Sequence, residues 1–183
     1  NIVYRNKAKI NDDIYVSGNL GDSYLGLLVL KNKIKLNPKL KKYFTNQYFM
    51  PNIQLKLADQ IKKFANTSID ISDGLLADLD KMINCQKLSY KLFLQDIPIS
   101  NNLKKILVLK NLSKINCISN GDDYQVLFTA SKNKMRIIKK IAYNCRVKLT
   151  KIGSIQNLAQ KSSIIDDKNR QITLKNKGYF HKF

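Results

Sequence analysis

TSIDISDGLL, running from Thr67 to Leu76, changes its periodicity halfway along. Ile69 and Ile71 alternate with polar neighbours, as at the end of a β-strand, and Gly74 permits a tight turn. Leu75, Leu76, Leu79, Met82 and Ile83 then recur at helical spacing, so a helix is expected from about Ser72 or Asp73. A strand that turns directly into a helix gathers Asp70, Ser72 and Asp73 at a helix N-terminus. Free N–H groups and a partial positive charge there attract a phosphate, while the carboxylates suit a hard cation such as magnesium. The same residues also read as a plain cap, with Ser72 or Asp73 as N-cap.

Outward from this segment the chain is of mixed α and β type. A strand is expected near Ile14 to Ser17, followed by a helix through Tyr24 to Leu30 that the Gly21–Asp22–Ser23 triplet would cap. The lysine-dense run KNKIKLNPKLKKYF, Lys31 to Phe44, reads as a basic linker, with a helix from about Ile53 to Phe64 beyond it. After the central segment come an alternating strand around Ser89 to Leu94 and, past Pro98, a short helix near Asn101 to Leu109. Tyr124 to Thr129 is the best central strand; Lys134 to Tyr143 reads as an amphipathic helix and Val147 to Ile155 as a strand. Ser163 to Ile165 and Gln171 to Leu174 flank DDKNR as a hairpin. This order suits an α/β fold of mixed α+β type, a mixed β-sheet covered by helices.

SNGDDYQVLFTA, from Ser119 to Ala130, sets a glycine and two adjacent aspartates directly before that central strand. With the first segment it resembles thiamine-monophosphate kinase, in the superfamily of aminoimidazole-ribonucleotide synthetase, whose members carry an Asp-x-Ser-Asp-Gly-Leu element and then a Gly-Gly-Glu-Asp-Tyr-Glu element. RNKAKINDDIYVSGNLGDSYLGL, KIGSI and the closing KGYFHKF fit the same family, so the resemblance spans nearly the whole chain.

The resemblance implies a C-terminal α/β domain over residues 1–183, with residues 1–10 as the junction to an N-terminal half that supplies further metal-binding aspartates and most of a homodimer contact. It makes Asp70 and Asp73 magnesium ligands, Ser72 and Arg5 contacts to ATP, and Asp122 a contact to the thiamine part of the substrate. The implied reaction is transfer of the γ-phosphoryl group of ATP to thiamine monophosphate, giving thiamine diphosphate; 183 residues alone are expected to be inactive. Another ATP-using enzyme of the superfamily, or a degenerate binding domain without catalysis, is the alternative. Departures from the family pattern fall on the substrate side: Asn120 stands for a glycine, Asp122 and Gln125 for glutamates, and Asn176 for an aromatic.

Each bland alternative has a physical basis: Asp122 reads equally as a turn aspartate before a strand, and Arg5 as a solvated arginine. The only histidine, His181, stands near the C-terminal end, no GxxxxGK[ST] loop occurs, and no nucleophile–base pair is legible. A transfer that relies on alignment and charge neutralisation fits such a chain. The net charge of +20, 33 Lys plus Arg against 13 Asp plus Glu, resembles a nucleic-acid footprint. The lysines are scattered among isoleucine and asparagine, however, and the charge is read as A/T-rich codon bias, with no nucleic-acid partner. Tyr43, Phe44, Tyr48 and Phe49 interleave with lysine but suit a packed helix face as well. No apolar run reaches the length of a membrane span. Cys85, Cys117 and Cys145 are odd in number and widely spaced, so reduced thiols and a cytoplasmic setting are expected.

Overall fold

In the computed structural model, which describes residues 3–84 and 86–172, the central element is β1 (Asp13–Ser17), buried along its whole length. It lies between β4 (Val126–Ala130) and β5 (Leu149–Asn157), antiparallel to both. Outside β4 lies β2 (Thr67–Asp70), and outside β5 lies β3 (Leu88–Phe93), again antiparallel. The parallel addition of β6 (Ser163–Ile165) to β3 makes the sheet mixed, in the order β2-β4-β1-β5-β3-β6.

Side-chain alternation divides the apolar residues between two faces. Ile14 and Val16 of β1, Leu127 of β4 and Ile152 of β5 enter the larger core. There they meet α1 (Asp22–Leu30), α4 (Leu75–Met82) and α5 (Asn101–Leu109) through Leu25, Leu79 and Leu103. Tyr15 and Phe128 point to the other face and stack with centroids 5.2 Å apart, with Phe64 edge-on to Phe128. Ile138 and Ile141 of α7 (Met135–Cys145) cover that pair. The predicted mixed sheet between helices is therefore the observed one.

Three local expectations are corrected. The basic run is not a linker: its second half forms α2 (Pro38–Phe49), which buries Phe44 against α1. Asn37 caps it by accepting the Leu40 N–H at 2.9 Å, and Pro38 occupies the first helical turn. The expected helix over 53–64 is instead one α-turn, α3 (Leu55–Ala58), followed by a 3₁₀ turn at Ile61–Lys63. Finally, α6 (Lys114–Ile118), an unexpected short helix, leads into the second signature, and Tyr124 and Gln125 precede β4. The turn between Ile165 and Gln171 closes as a small bridge, with Asp166 accepting from Lys168 and Arg170; the remainder of the expected hairpin, Asn176, His181, the closing KGYFHKF and Cys85 lie outside the described residues.

Candidate functional site

The two signature segments meet because their strands are partners. Asp70 of β2 lies opposite Val126 of β4, and the pairing continues beyond both strands: the Ile71 N–H donates to Gln125 O (2.8 Å), the Tyr124 N–H to Ile71 O (2.9 Å) and the Asp122 N–H to Ser72 O (2.9 Å). Two glycines make this contact sterically feasible. A Cβ on Gly121 would overlap the Ser72 carbonyl, and one on Gly74, whose φ is +115°, would overlap the Ser119 carbonyl.

The interlock opens on a pocket of about 590 Å³, lined by Ser72, Asp73, Asn120, Gly121, Asp122 and Tyr124 from the signatures and by Tyr24, Leu27, Leu28, Lys31, Lys33 and Tyr48 from α1, its following turn and α2. Ser72, Asp73 and Asp122 are thus brought together. Arg5 is exposed on the segment leading to β1, and Asp70 is exposed at the end of β2; neither lines this pocket. Desolvation, and then the neighbouring Asp73 charge, pushes the Asp122 carboxyl above its ordinary range. Asp122 and Tyr124 both have left-handed backbones, at φ +66° and +49°, which is uncommon away from glycine.

The helix N-terminus differs from the sequence expectation. Gly74, not Ser72 or Asp73, is the N-cap of α4. The N–H groups of Ser72, Asp73 and Gly74 do not stand free: all three donate to Asp78 Oδ2, at 2.9, 2.8 and 3.1 Å. Asp78 is fully buried and its other oxygen accepts from Lys81 Nζ at 2.9 Å. Lys81 also pairs with Asp73. A carboxylate supplied six residues downstream therefore shapes the turn that presents Ser72 and Asp73. Those three amides are engaged within the turn and do not face the pocket as free donors.

A second buried carboxylate holds the opposite wall. Asp123 accepts the Gly21 N–H at 2.8 Å, so the second signature caps α1 across the fold. Burial pushes its carboxyl up to about 8, with Asp22 and Asp122 adding to the rise while the Gly21 and Ser23 N–H groups oppose it. Asp22, also raised by burial, accepts from Ser100 Oγ (2.7 Å) and Tyr43 OH (2.9 Å). Behind it, Gln125 accepts from Ser17 Oγ at 2.7 Å and donates to Asn52 O at 3.2 Å. Cys117 is buried, with its thiol pushed up to about 11 by desolvation, as expected of an inert thiol.

A raised folded-state carboxyl binds its proton more tightly than the unfolded chain does. Its contribution to stability is complete below about 3.8 and is lost as the pH rises to about 8. Asp123→Asn keeps an oxygen for the Gly21 N–H but cannot ionise. Urea denaturation of the wild type is expected to show a stability loss of about 5 kcal/mol between pH 4 and 8 from this group, and the variant a curve without that component. Equal slopes for both proteins would exclude the assignment.

Among the described residues, no group of three or more His, Cys, Asp or Glu side chains is close enough to hold a metal, and no helix is long and apolar enough to cross a membrane. Asp70 and Asp73, three positions apart where β2 gives way to the turn, nevertheless suit magnesium chemically, since that ion is commonly held by one or two carboxylates together with substrate phosphates.

No protein-family profile matches the chain. Thiamine-monophosphate kinase of Buchnera aphidicola from Acyrthosiphon pisum is 35% identical over 181 residues, covering 97% of this chain and 54% of the relative. The enzyme of that name from Aquifex aeolicus is 31% identical over 156 residues, covering 84% and 48%. Among solved structures, thiamine-monophosphate kinase from Stenotrophomonas maltophilia superposes with TM-score 0.77 at 26% identity, over 90% of this chain and 52% of that one. AaThiL complexed with AMPPCP and TMP gives 0.77 at 27%, over 97% and 54%. Escherichia coli HypE, at 14% identity and TM-score 0.67, shares the fold. The chain spans about half the length of the curated relatives it matches. In sequence and in fold, over that half, this chain is a homologue of the thiamine-monophosphate kinases.

Proposed function

We propose that the protein carrying this chain is a thiamine-monophosphate kinase, which transfers the γ-phosphoryl group of ATP to the phosphate of thiamine monophosphate and releases thiamine diphosphate and ADP. The observation that carries this reading is the interlock of the two signatures, which places Ser72 and Asp73 in one pocket with Asp122. Its homology to enzymes of that name, one of them solved with AMPPCP and TMP, supplies the substrates.

The roles follow from the chemistry of each group. Ser72 donates its hydroxyl to a phosphate oxygen of ATP. Asp73 and Asp70 are the carboxylates of this chain offered to magnesium, which when bound offsets the phosphate charge that otherwise opposes transfer. Lys81 holds Asp73 in its present orientation and neutralises it. Asp122 accepts hydrogen bonds from the aminopyrimidine end of the substrate. Arg5, exposed at the start of the described chain, is the candidate to meet nucleotide phosphate from the junction side. Among these residues none is placed as a general base, so the substrate phosphate oxygen attacks directly and the aligned charges carry the catalysis.

In this reading residues 1–183 are the C-terminal part of the enzyme, an N-terminal half completes the metal site, the complete protein is a homodimer, and it works in the cytoplasm. The test is product formation by the natural full-length protein supplied with ATP, magnesium and thiamine monophosphate. Thiamine diphosphate should appear, and chelation of magnesium should stop it. In Asp122→Asn the KM for thiamine monophosphate should rise about tenfold, the range of one hydrogen bond to a charged group, with the KM for ATP unchanged. Turnover of a different phosphorylated substrate, with none of thiamine monophosphate, would instead identify another ATP-using enzyme of the same fold.

A further inference from the structure

The pocket contains more aromatic surface than a phosphate-transfer site requires. Tyr24 comes from α1, Tyr48 from α2 and Tyr124 from the second signature, and all three line the cavity that holds Asp73 and Asp122. Their convergence is built into the backbone. Gly26 lets α2 approach α1 so closely that a Cβ there would overlap the Phe44 carbonyl and come within 3.0 Å of Tyr48 Cβ. That approach carries Tyr48 to the cavity. Tyr124 stands in a left-handed conformation and leaves 42% of its surface exposed. The neighbouring Asp122 is left-handed as well, and backbone outliers of this kind cluster at ligand sites.

Electrostatics narrows the ligand further. Asp122 lines the cavity beside Asp73, whose charge Lys81 already meets, so Asp122 is the carboxylate offered to a ligand there. A flat cation between tyrosine faces and near the Asp122 carboxylate would gain charge attraction and cation–π attraction together. Lys31, in the turn after α1, also lines the cavity and suits an anionic substituent on the same ligand.

We propose that Tyr24, Tyr48 and Tyr124 form a ring clamp that selects a cationic heteroaromatic phosphate ester, with Tyr48 on α2 as its principal specificity-determining residue. In the kinase reading, on which this proposal rests, the clamped group is the thiazolium ring of thiamine monophosphate.

The experiment uses the natural full-length protein and the variants Tyr48→Leu, Tyr48→Phe and Tyr24→Leu, each checked for an unchanged melting profile. Tyr48→Leu should raise the KM for thiamine monophosphate about tenfold, in the range of a desolvated cation–π contact, with kcat and the KM for ATP within twofold of wild type. Tyr48→Phe should restore the wild-type KM because it keeps the ring. Unchanged KM values in both leucine variants of an active kinase would overturn the clamp and leave the kinase reading intact. Calorimetric titration with thiamine itself, which has the ring but no phosphate, is independent of turnover. It should show binding to wild type that Tyr48→Leu weakens about tenfold, and no binding to wild type would overturn the clamp.

Discussion

Replacing Asp78 by alanine is expected to cost about 3–5 kcal/mol of folding free energy, a large share of what a domain of this size possesses. One carboxylate oxygen accepts three consecutive backbone N–H groups, those of Ser72, Asp73 and Gly74, and the other accepts Lys81. Alanine leaves three donors without their acceptor in a part-buried turn and removes one of the two carboxylates that hold Lys81. Leaving buried donors unsatisfied costs more than the net worth of the bonds. Asp78→Asn should cost less, because its amide oxygen still accepts from the turn while the charge opposite Lys81 is lost. Urea denaturation of the two variants tests the ordering: a lower midpoint with an unchanged slope is expected for both, deeper for alanine. Equal losses would mean that the ion pair, rather than the amide cluster, dominates. The alanine variant should also bind ATP analogues poorly, since Ser72 and Asp73 are carried on the released turn.

What the sequence disclosed here, and what it concealed, follows from distance along the chain. The passage from strand to helix at Thr67–Met82 was legible because alternation and helical spacing are local patterns, and the central strand β4 was legible for the same reason. Ser72, Asp73 and Asp122 were legible as a group only through the resemblance, since nothing local says that residues about fifty positions apart share a pocket. The roles of Asp78 and Asp123 were not legible. Asp78 looks like an ordinary polar position on an amphipathic helix, and Asp123 reaches Gly21 across 102 residues. The missed α2 is different, because its signals were present: Asn37 and Pro38 are a cap and a first-turn proline, obscured by the surrounding lysines. Without that helix, Tyr48 reads as one aromatic among several, and its place in one wall of the pocket is not legible.

Gly121→Ala is the second substitution expected to have a large effect, and it tests the interlock itself. The added methyl group would be driven into the Ser72 carbonyl and crowd Asp73 Cα, so the obstacle is backbone on both sides and no side chain can swing away. Relief requires the two signatures to separate, which breaks the bond from the Asp122 N–H to Ser72 O and strains the adjacent one from the Tyr124 N–H to Ile71 O. Overpacking of a well-filled interior costs about 1–3 kcal/mol where side chains can adapt; against rigid backbone a loss of about 4 kcal/mol or failure to fold is expected. Asn120→Gly is the informative companion. Asn120 is half-buried and donates its amide to Asn116 O at 2.7 Å, so glycine there removes one hydrogen bond and introduces no clash. Its cost should stay near 1 kcal/mol. If the two variants were equally stable in a denaturation series, the close approach of Gly121 to Ser72 would not be what holds the site together, and the shared position of Ser72, Asp73 and Asp122 would need another cause. If alanine alone collapses the fold, the same contact that builds the pocket also stabilises the domain, and substitutions that reshape this pocket are confined to its tyrosine and lysine walls.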